Sequence, residues 1–262
     1  HRIARRQRQM CIRDSSKRVS VLGGGSFGTV LANIAASNGY EVCLWVRDAE
    51  QALRINSEGS NSTYHPELKL SENITASEDL TSAVKNSDYI LVATPSIIFE
   101  EVISRLEPLI SSSVAVISCT KGIKSDPFRT MTDIINQHLG HLIDKKFGVL
   151  SGPNLAIEIA ENKVAGTVIA SEFDEVNLEI KSMLSSDTFK VFSSQDLQGV
   201  ELAGALKNIY AICCGIAHEK SVGENALGLI ITRSMAEMSR FAVAKGANPI
   251  TFLGLAGMGD LM

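Results

Sequence analysis

From Lys17 onward, short β-branched and apolar runs alternate with stretches whose apolar positions recur every three to four residues. The short runs predict strands at 18–22, 41–46, 89–93, 115–119, 147–151, 166–170 and 190–192, with helices between them. Residues 26–38 place Val30, Leu31, Ile34 and Ala35 on one stripe, and Gly39 follows as the expected helix stop. Such alternation is the pattern of βαβ units and a mostly parallel sheet covered on both faces. The segment 59–70 is polar, is broken by Pro66, and reads as a loop or lid.

After Ser194 the pattern changes: no further strand-like run occurs, and two long helices are predicted at 197–217 and 224–245. The first is apolar nearly all round, with Val200, Leu202, Ala205, Leu206, Ile209, Ile212, Cys213 and Ile216, which predicts burial along its length. The chain therefore reads as an α/β fold with a mostly parallel sheet at 17–194, followed by an all-helical part at 195–262.

The first sixteen residues differ in composition from the rest, with Arg2, Arg5, Arg6, Arg8 and Arg13 against Asp14 alone. The stretch from Met10 to Ser15 resembles the conceptual translation of a sequencing adapter, so residues 1–16 are set aside from the fold as a foreign tail. The competing readings are a basic arm and a transit peptide. Setting the tail aside moves the formal net charge from −4 to −8, which argues against a nucleic-acid surface. No run reaches the roughly 18 uninterrupted apolar residues of a membrane span. The expected location is the cytoplasm. Five cysteines with no CxxC pair agree, and Cys43, Cys119, Cys213 and Cys214 read as small core residues. No metal site is expected.

Gly23-Gly24-Gly25-Ser26-Phe27-Gly28 fits GxGxxG, directly after a strand and directly before a helix. Gly23, Gly25 and Gly28 then serve a tight turn, close approach to a pyrophosphate and close helix–sheet packing, which makes residues 17–194 a dinucleotide-binding domain of Rossmann type. The end of the second strand, where an acid would read the adenosine ribose, carries Arg47 and then Asp48. Arg47 suits an adenine stack or a 2′-phosphate, and Asp48 is placed to take ribose hydroxyls. Lys121 stands beyond the carboxyl end of a buried strand, where ligands of open α/β sheets collect. Gly152 and Asn154 repeat that placement, although an ordinary turn with an N-cap would look the same. Lys207 projects from an apolar helix past small neighbours such as Ala203 and Gly204, and a buried lysine suits acid–base work. Asn208 follows it as a hydrogen-bonding candidate for the same seam.

Together these residues resemble the NAD(P)-dependent glycerol-3-phosphate dehydrogenase family of bacterial type. The motifs are Gly23–Gly28, the run from Ser151 to Glu158, the run from Gly199 to Asn208, and the run from Gly246 to Leu261. The resemblance implies that Ser26, Phe27, Arg47, Lys121 and Ala156 contact NAD or NADP, and that Lys121, Gly152, Asn154, Lys207, Asn208 and Asp260 line the substrate site. Lys207 matches the catalytic lysine. The implied reaction interconverts dihydroxyacetone phosphate and sn-glycerol 3-phosphate and feeds glycerophospholipid synthesis, in a protein compatible with a homodimer. Phe27 stands where many members have tryptophan. The resemblance also implies that a Ser-Arg-Asn run gripping the substrate phosphate follows Met262. Residues 195–262 are therefore expected to be only the first part of the substrate domain, and turnover by this chain alone is expected to be low. The rival readings are a two-domain hydroxy-acid dehydrogenase and a coenzyme-binding sensor without turnover.

Overall fold

The computed structural model describes residues 17–262, so the basic tail and Cys11 lie outside the described residues. The chain runs β1 (Arg18–Leu22), α1 (Ser26–Ser37), β2 (Glu41–Trp45), α2 (Ala49–Glu58), β3 (Ser60–Asn61), β4 (His65–Lys69) and β5 (Ile74–Ser77). There follow α3 (Leu80–Val84), β6 (Tyr89–Val92), α4 (Ser96–Ser104), β7 (Ala115–Ser118), β8 (Ile123–Ser125), β9 (Phe128–Thr130), α5 (Met131–Leu139) and β10 (Phe147–Ser151). The remainder is α6 (Ala156–Ala160), β11 (Ala165–Ala170), α7 (Asp174–Leu184), β12 (Phe189–Ser194), α8 (Leu197–Glu219) and α9 (Glu224–Val243), with two short helical turns at Pro249–Leu253 and Leu255–Gly259.

Eight strands form one sheet in the order β12-β11-β10-β7-β6-β1-β2-β5. All neighbours are parallel except β10 and β11, which run antiparallel. The chain steps outward from β1 to β2 and β5, then crosses back to start β6 on the other side of β1. That reversal opens a crevice beyond the carboxyl ends of β1 and β6, the usual ligand position in such sheets. The central strands are buried on both faces, which is why they read as near-continuous apolar runs. One core, including Leu31 and Ile180, lies under α1 and α7, and a second, including Phe99 and Ile135, lies under α4 and α5.

The structure departs from the pattern at four places. Residues 59–70 contain a short hairpin of β3 and β4, whose pairs are Ser60 with Lys69 and Asn61 with His65. Pro66 is accommodated because the ladder is irregular and only two pairs are made. β5, with a single large apolar residue, is a short edge strand that the alternation rule passes over. Burial of α8 is confined mainly to its first turns: residues 199–204 are covered, whereas Ile209, Ile212 and Ile216 are exposed. Hydrophobicity all round a helix reports that no face is polar, not what packs on each face. Cys43 and Cys119 are buried as expected, but Cys213 is exposed and Cys214 half-buried, because both belong to that outer stretch. By length and composition α8 is the one helix among the described residues suited to cross a bilayer. It nevertheless carries the buried Glu201 and lies against the sheet through Val200, Leu202 and Ala203, which pack with Val149 of β10.

Candidate active site

The site begins where β1 turns at Gly23 into α1. A Cβ on Gly28, in the first turn of α1, would stand 1.9 Å from Gly23 O, so only glycine lets the helix start this close to the strand. The helix N-terminus opens on a cavity of about 600 Å³. Gly23, Gly25, Ser26, Phe27, Arg47 and Lys121 all stand on its wall. Gly28 supports it from behind, and Ala156 starts α6 and packs toward the core under α1.

Several residues that pattern reasoning passed over hold this cavity together. Asn61 is buried and donates from Nδ2 to Gly24 O at 3.0 Å and to Thr29 Oγ1 at 2.8 Å. Gln51 Nε2 donates to the same Gly24 O at 2.7 Å. His65 Nε2 lies 3.0 Å from Ser26 Oγ and 2.9 Å from Ser26 O. The β3–β4 hairpin therefore clamps the glycine loop and brings Thr63 and Tyr64 to the cavity wall. The signal in the sequence was the pair of polar residues, Asn61 and His65, within the segment read as a loop or lid. Asp48 lies on the cavity wall, and its Oδ1 accepts from Glu50 N at 2.9 Å as the N-cap of α2.

The charged centre lies at the carboxyl end of β10, where α8 crosses. A Cβ on Gly204 would come within 2.1 Å of Ser151 Oγ, so glycine allows helix and strand to touch. Lys207, three residues further on, shares that face of the helix. Its Nζ donates to Asp260 Oδ1 at 2.8 Å and to Asp260 O at 2.9 Å. Lys121 Nζ donates to the other carboxylate oxygen of Asp260 and to Gly152 O, the latter at 3.0 Å. The Asp260 side chain is only 3% exposed and serves as counter-ion to both lysines. Burial lowers the Lys121 pKa, an effect opposed by Asp260 and reinforced by the neighbouring Lys207. Asn154 donates from Nδ2 to Thr167 Oγ1 at 3.0 Å. Asn208, the next residue on α8, is exposed and makes no hydrogen bond to the cluster among the described residues.

The hairpin of β8 and β9 follows Lys121 directly and is fixed by charge. Arg129 grips Glu100 through both terminal nitrogens, at 2.8 and 3.0 Å, and Lys124 Nζ reaches the same carboxylate at 2.5 Å. These hydrogen bonds, first from Lys124 and then from Arg129, pull the Glu100 pKa down to about 2. Glu201 of α8 is the opposite case. It is fully enclosed, and burial raises its pKa to about 7 although Thr132 N donates to Oε1 at 2.8 Å and the Thr132 hydroxyl meets Oε2.

The cavity and its polar groups fit a nicotinamide dinucleotide. Among the described residues, Thr94 Oγ1 on the cavity wall and Asn154 Oδ1 are buried side-chain atoms without a hydrogen-bond partner, and each is a ready contact for a polar ligand. A glycine-turn cavity over a parallel sheet, joined to a lysine–aspartate–lysine centre, defines a dinucleotide-dependent oxidoreductase. Residues 18–177 match the N-terminal part, and residues 196–262 the C-terminal part, of the NAD-dependent glycerol-3-phosphate dehydrogenase family. The chain belongs to that family. It is 50% identical over 244 residues to a glycerol-3-phosphate dehydrogenase [NAD(P)+] of Acinetobacter baumannii, an alignment covering 93% of this chain and 67% of the relative. The corresponding enzyme of Alcanivorax borkumensis is 48% identical, over 93% of this chain and 70% of its own. The crystal structure of glycerol-3-phosphate dehydrogenase from Coxiella burnetii superposes with a TM-score of 0.87 at 34% identity, covering 94% of this chain and 74% of that one.

Proposed function

We propose that the lysine–aspartate–lysine centre carries the interconversion of dihydroxyacetone phosphate and sn-glycerol 3-phosphate, with Lys207 as the group that gives and takes the proton at the C2 oxygen. The observation that carries this reading is the convergence of Lys207 and Lys121 on the single carboxylate of Asp260, beside the dinucleotide cavity that Lys121 also lines.

When bound, NAD(P)H supplies the hydride to C2. Lys207 holds its proton at Nζ, and Asp260 fixes the direction of that amine through two hydrogen bonds. Two ammonium groups against one carboxylate leave one unit of positive charge at the centre, which suits a phosphorylated substrate and the alkoxide that forms on reduction. Lys121 spans the two binding regions and ties Gly152 to the centre. The buried Oδ1 of Asn154, which has no hydrogen-bond partner, is available to a polar group of the substrate. In this reading, residues 17–194 bind the coenzyme and residues from 195 onward build the substrate side, with the cytoplasm as the working location and phospholipid backbones as the destination of the product. Coenzyme oxidation measured side by side with dihydroxyacetone phosphate and with unphosphorylated 2-keto acids tests the proposal. Oxidation dependent on dihydroxyacetone phosphate alone supports it, and a preference for a keto acid contradicts it.

A further inference from the structure

The far wall of the coenzyme cavity has a charge arrangement that bears on which coenzyme the chain selects. In dinucleotide folds an acid at the end of the second strand accepts the hydroxyls of an unphosphorylated adenosine ribose. Here β2 ends at Trp45, and the first charged residue after it is Arg47. The first acid, Asp48, lies on the cavity wall, but its Oδ1 is turned back to cap α2 through Glu50 N. A second arginine, Arg54, lies on the same wall. Its placement follows from the helix: Gln51 points at the glycine loop through its bond to Gly24 O, and Arg54 is three residues on, along the same face of α2.

Arg54 is not committed elsewhere. Among the described residues its one ion-pair partner is Glu50, at 3.9 Å, and the Glu50 side chain is 84% exposed. An i,i+4 pair of that length and exposure is weak and yields readily to a better anion. The wall thus presents two guanidinium groups and the carboxylate of Asp48, one oxygen of which caps α2, while Glu50 stands off the wall in solvent.

We propose that Arg54 is a specificity-determining residue, forming with Arg47 a two-guanidinium clamp for the 2′-phosphate of the adenosine ribose, so that the chain selects NADP(H) over NAD(H). A phosphate dianion offers the fork-shaped donors several acceptor oxygens, and charge-assisted bonds of this kind are roughly twice as strong as neutral ones. A free 2′-hydroxyl offers a single neutral acceptor where the phosphate offers several anionic ones, and one oxygen of Asp48 is already held by the start of α2. The inference rests on the reading of the cavity as the coenzyme site.

The test uses the whole chain and equilibrium binding. NADPH and NADH are titrated by nicotinamide fluorescence, and adenosine 2′,5′-bisphosphate and ADP are titrated as competitors, for the parent, Arg54→Ala and Arg47→Ala. The parent is expected to bind each 2′-phosphorylated ligand at least about tenfold tighter than its counterpart. Arg54→Ala is expected to weaken the phosphorylated pair by about 10- to 30-fold while NADH and ADP shift less than about threefold. Thermal melts of the variants check that the fold is kept. Equal losses for both classes of ligand, or no loss for either, overturn the clamp while leaving the coenzyme site standing. A parent that binds neither NADH nor NADPH overturns the coenzyme reading and the clamp with it.

Discussion

Lys207 Nζ donates to both the carboxylate and the main-chain carbonyl of Asp260, at 2.8 and 2.9 Å, and the second carboxylate oxygen is taken by Lys121. One acid, at the C-cap of the Leu255–Gly259 turn, therefore binds a lysine of α8 to a lysine just beyond the carboxyl end of the central strand β7. Replacing Asp260 by Asn keeps the shape and removes the shared charge. The two ammonium groups would then face each other without a counter-ion, and a stability loss of about 2–4 kcal/mol is expected. Urea unfolding of the parent and Asp260→Asn measures it, and NADH affinity within a few-fold of the parent is expected alongside.

Gly28→Ala tests the glycine turn. The added methyl would sit 1.9 Å from a backbone oxygen, which cannot rotate away as a side chain would. Either α1 or the turn at Gly23 must move, at a cost of about 3 kcal/mol. Coenzyme binding is expected to fall at least about tenfold. A fluorescence titration beside a thermal melt reads both quantities, and parent-like values in both would contradict the packing described.

Glu201 predicts a pH-dependent stability. Its carboxyl has a folded pKa of about 7 against an ordinary value of 4.5, so the folded state binds more protons than the unfolded chain between these values. Stability from this group is present below pH 4.5, falls as pH rises to about 7, and is then flat. The full excursion is on the order of 3 kcal/mol. Glu201→Gln retains an acceptor for Thr132 N and removes the titration. Denaturant midpoints at pH 5 and pH 7.5 are expected to favour the variant at the higher pH and to converge at the lower. Parallel behaviour of the two proteins would remove Glu201 as the titrating group.

The sheet was legible because its inner strands are buried on both faces and therefore announce themselves as apolar runs, as at β1, β6 and β7. The edge strand β5 and the β3–β4 hairpin were not, because their stability comes from a few pairings and from side chains such as Asn61 that bond to distant backbone. Lys121, Lys207 and Asp260 were each singled out from local context or family resemblance. That one carboxylate serves both amines is a contact across 139 and 53 residues of chain, and no local pattern encodes it. Arg54 and Thr94 went unremarked for a related reason: an arginine on an amphipathic helix and a threonine after a strand acquire a role only when the cavity they line exists.

The most direct measurement of the central assignment is the rate of NADPH oxidation by dihydroxyacetone phosphate in Lys207→Ala. It is run as single turnover with protein in excess over coenzyme, so that slow rates are resolved. Removing a general acid is expected to lower that rate by about two to four orders of magnitude. NADPH affinity is expected to stay within a few-fold of the parent, since Lys207 is not on the dinucleotide cavity wall. A variant that turns over at the parent rate, or one that keeps its fold but loses coenzyme binding, would contradict the assignment of Lys207 as the proton-transfer group.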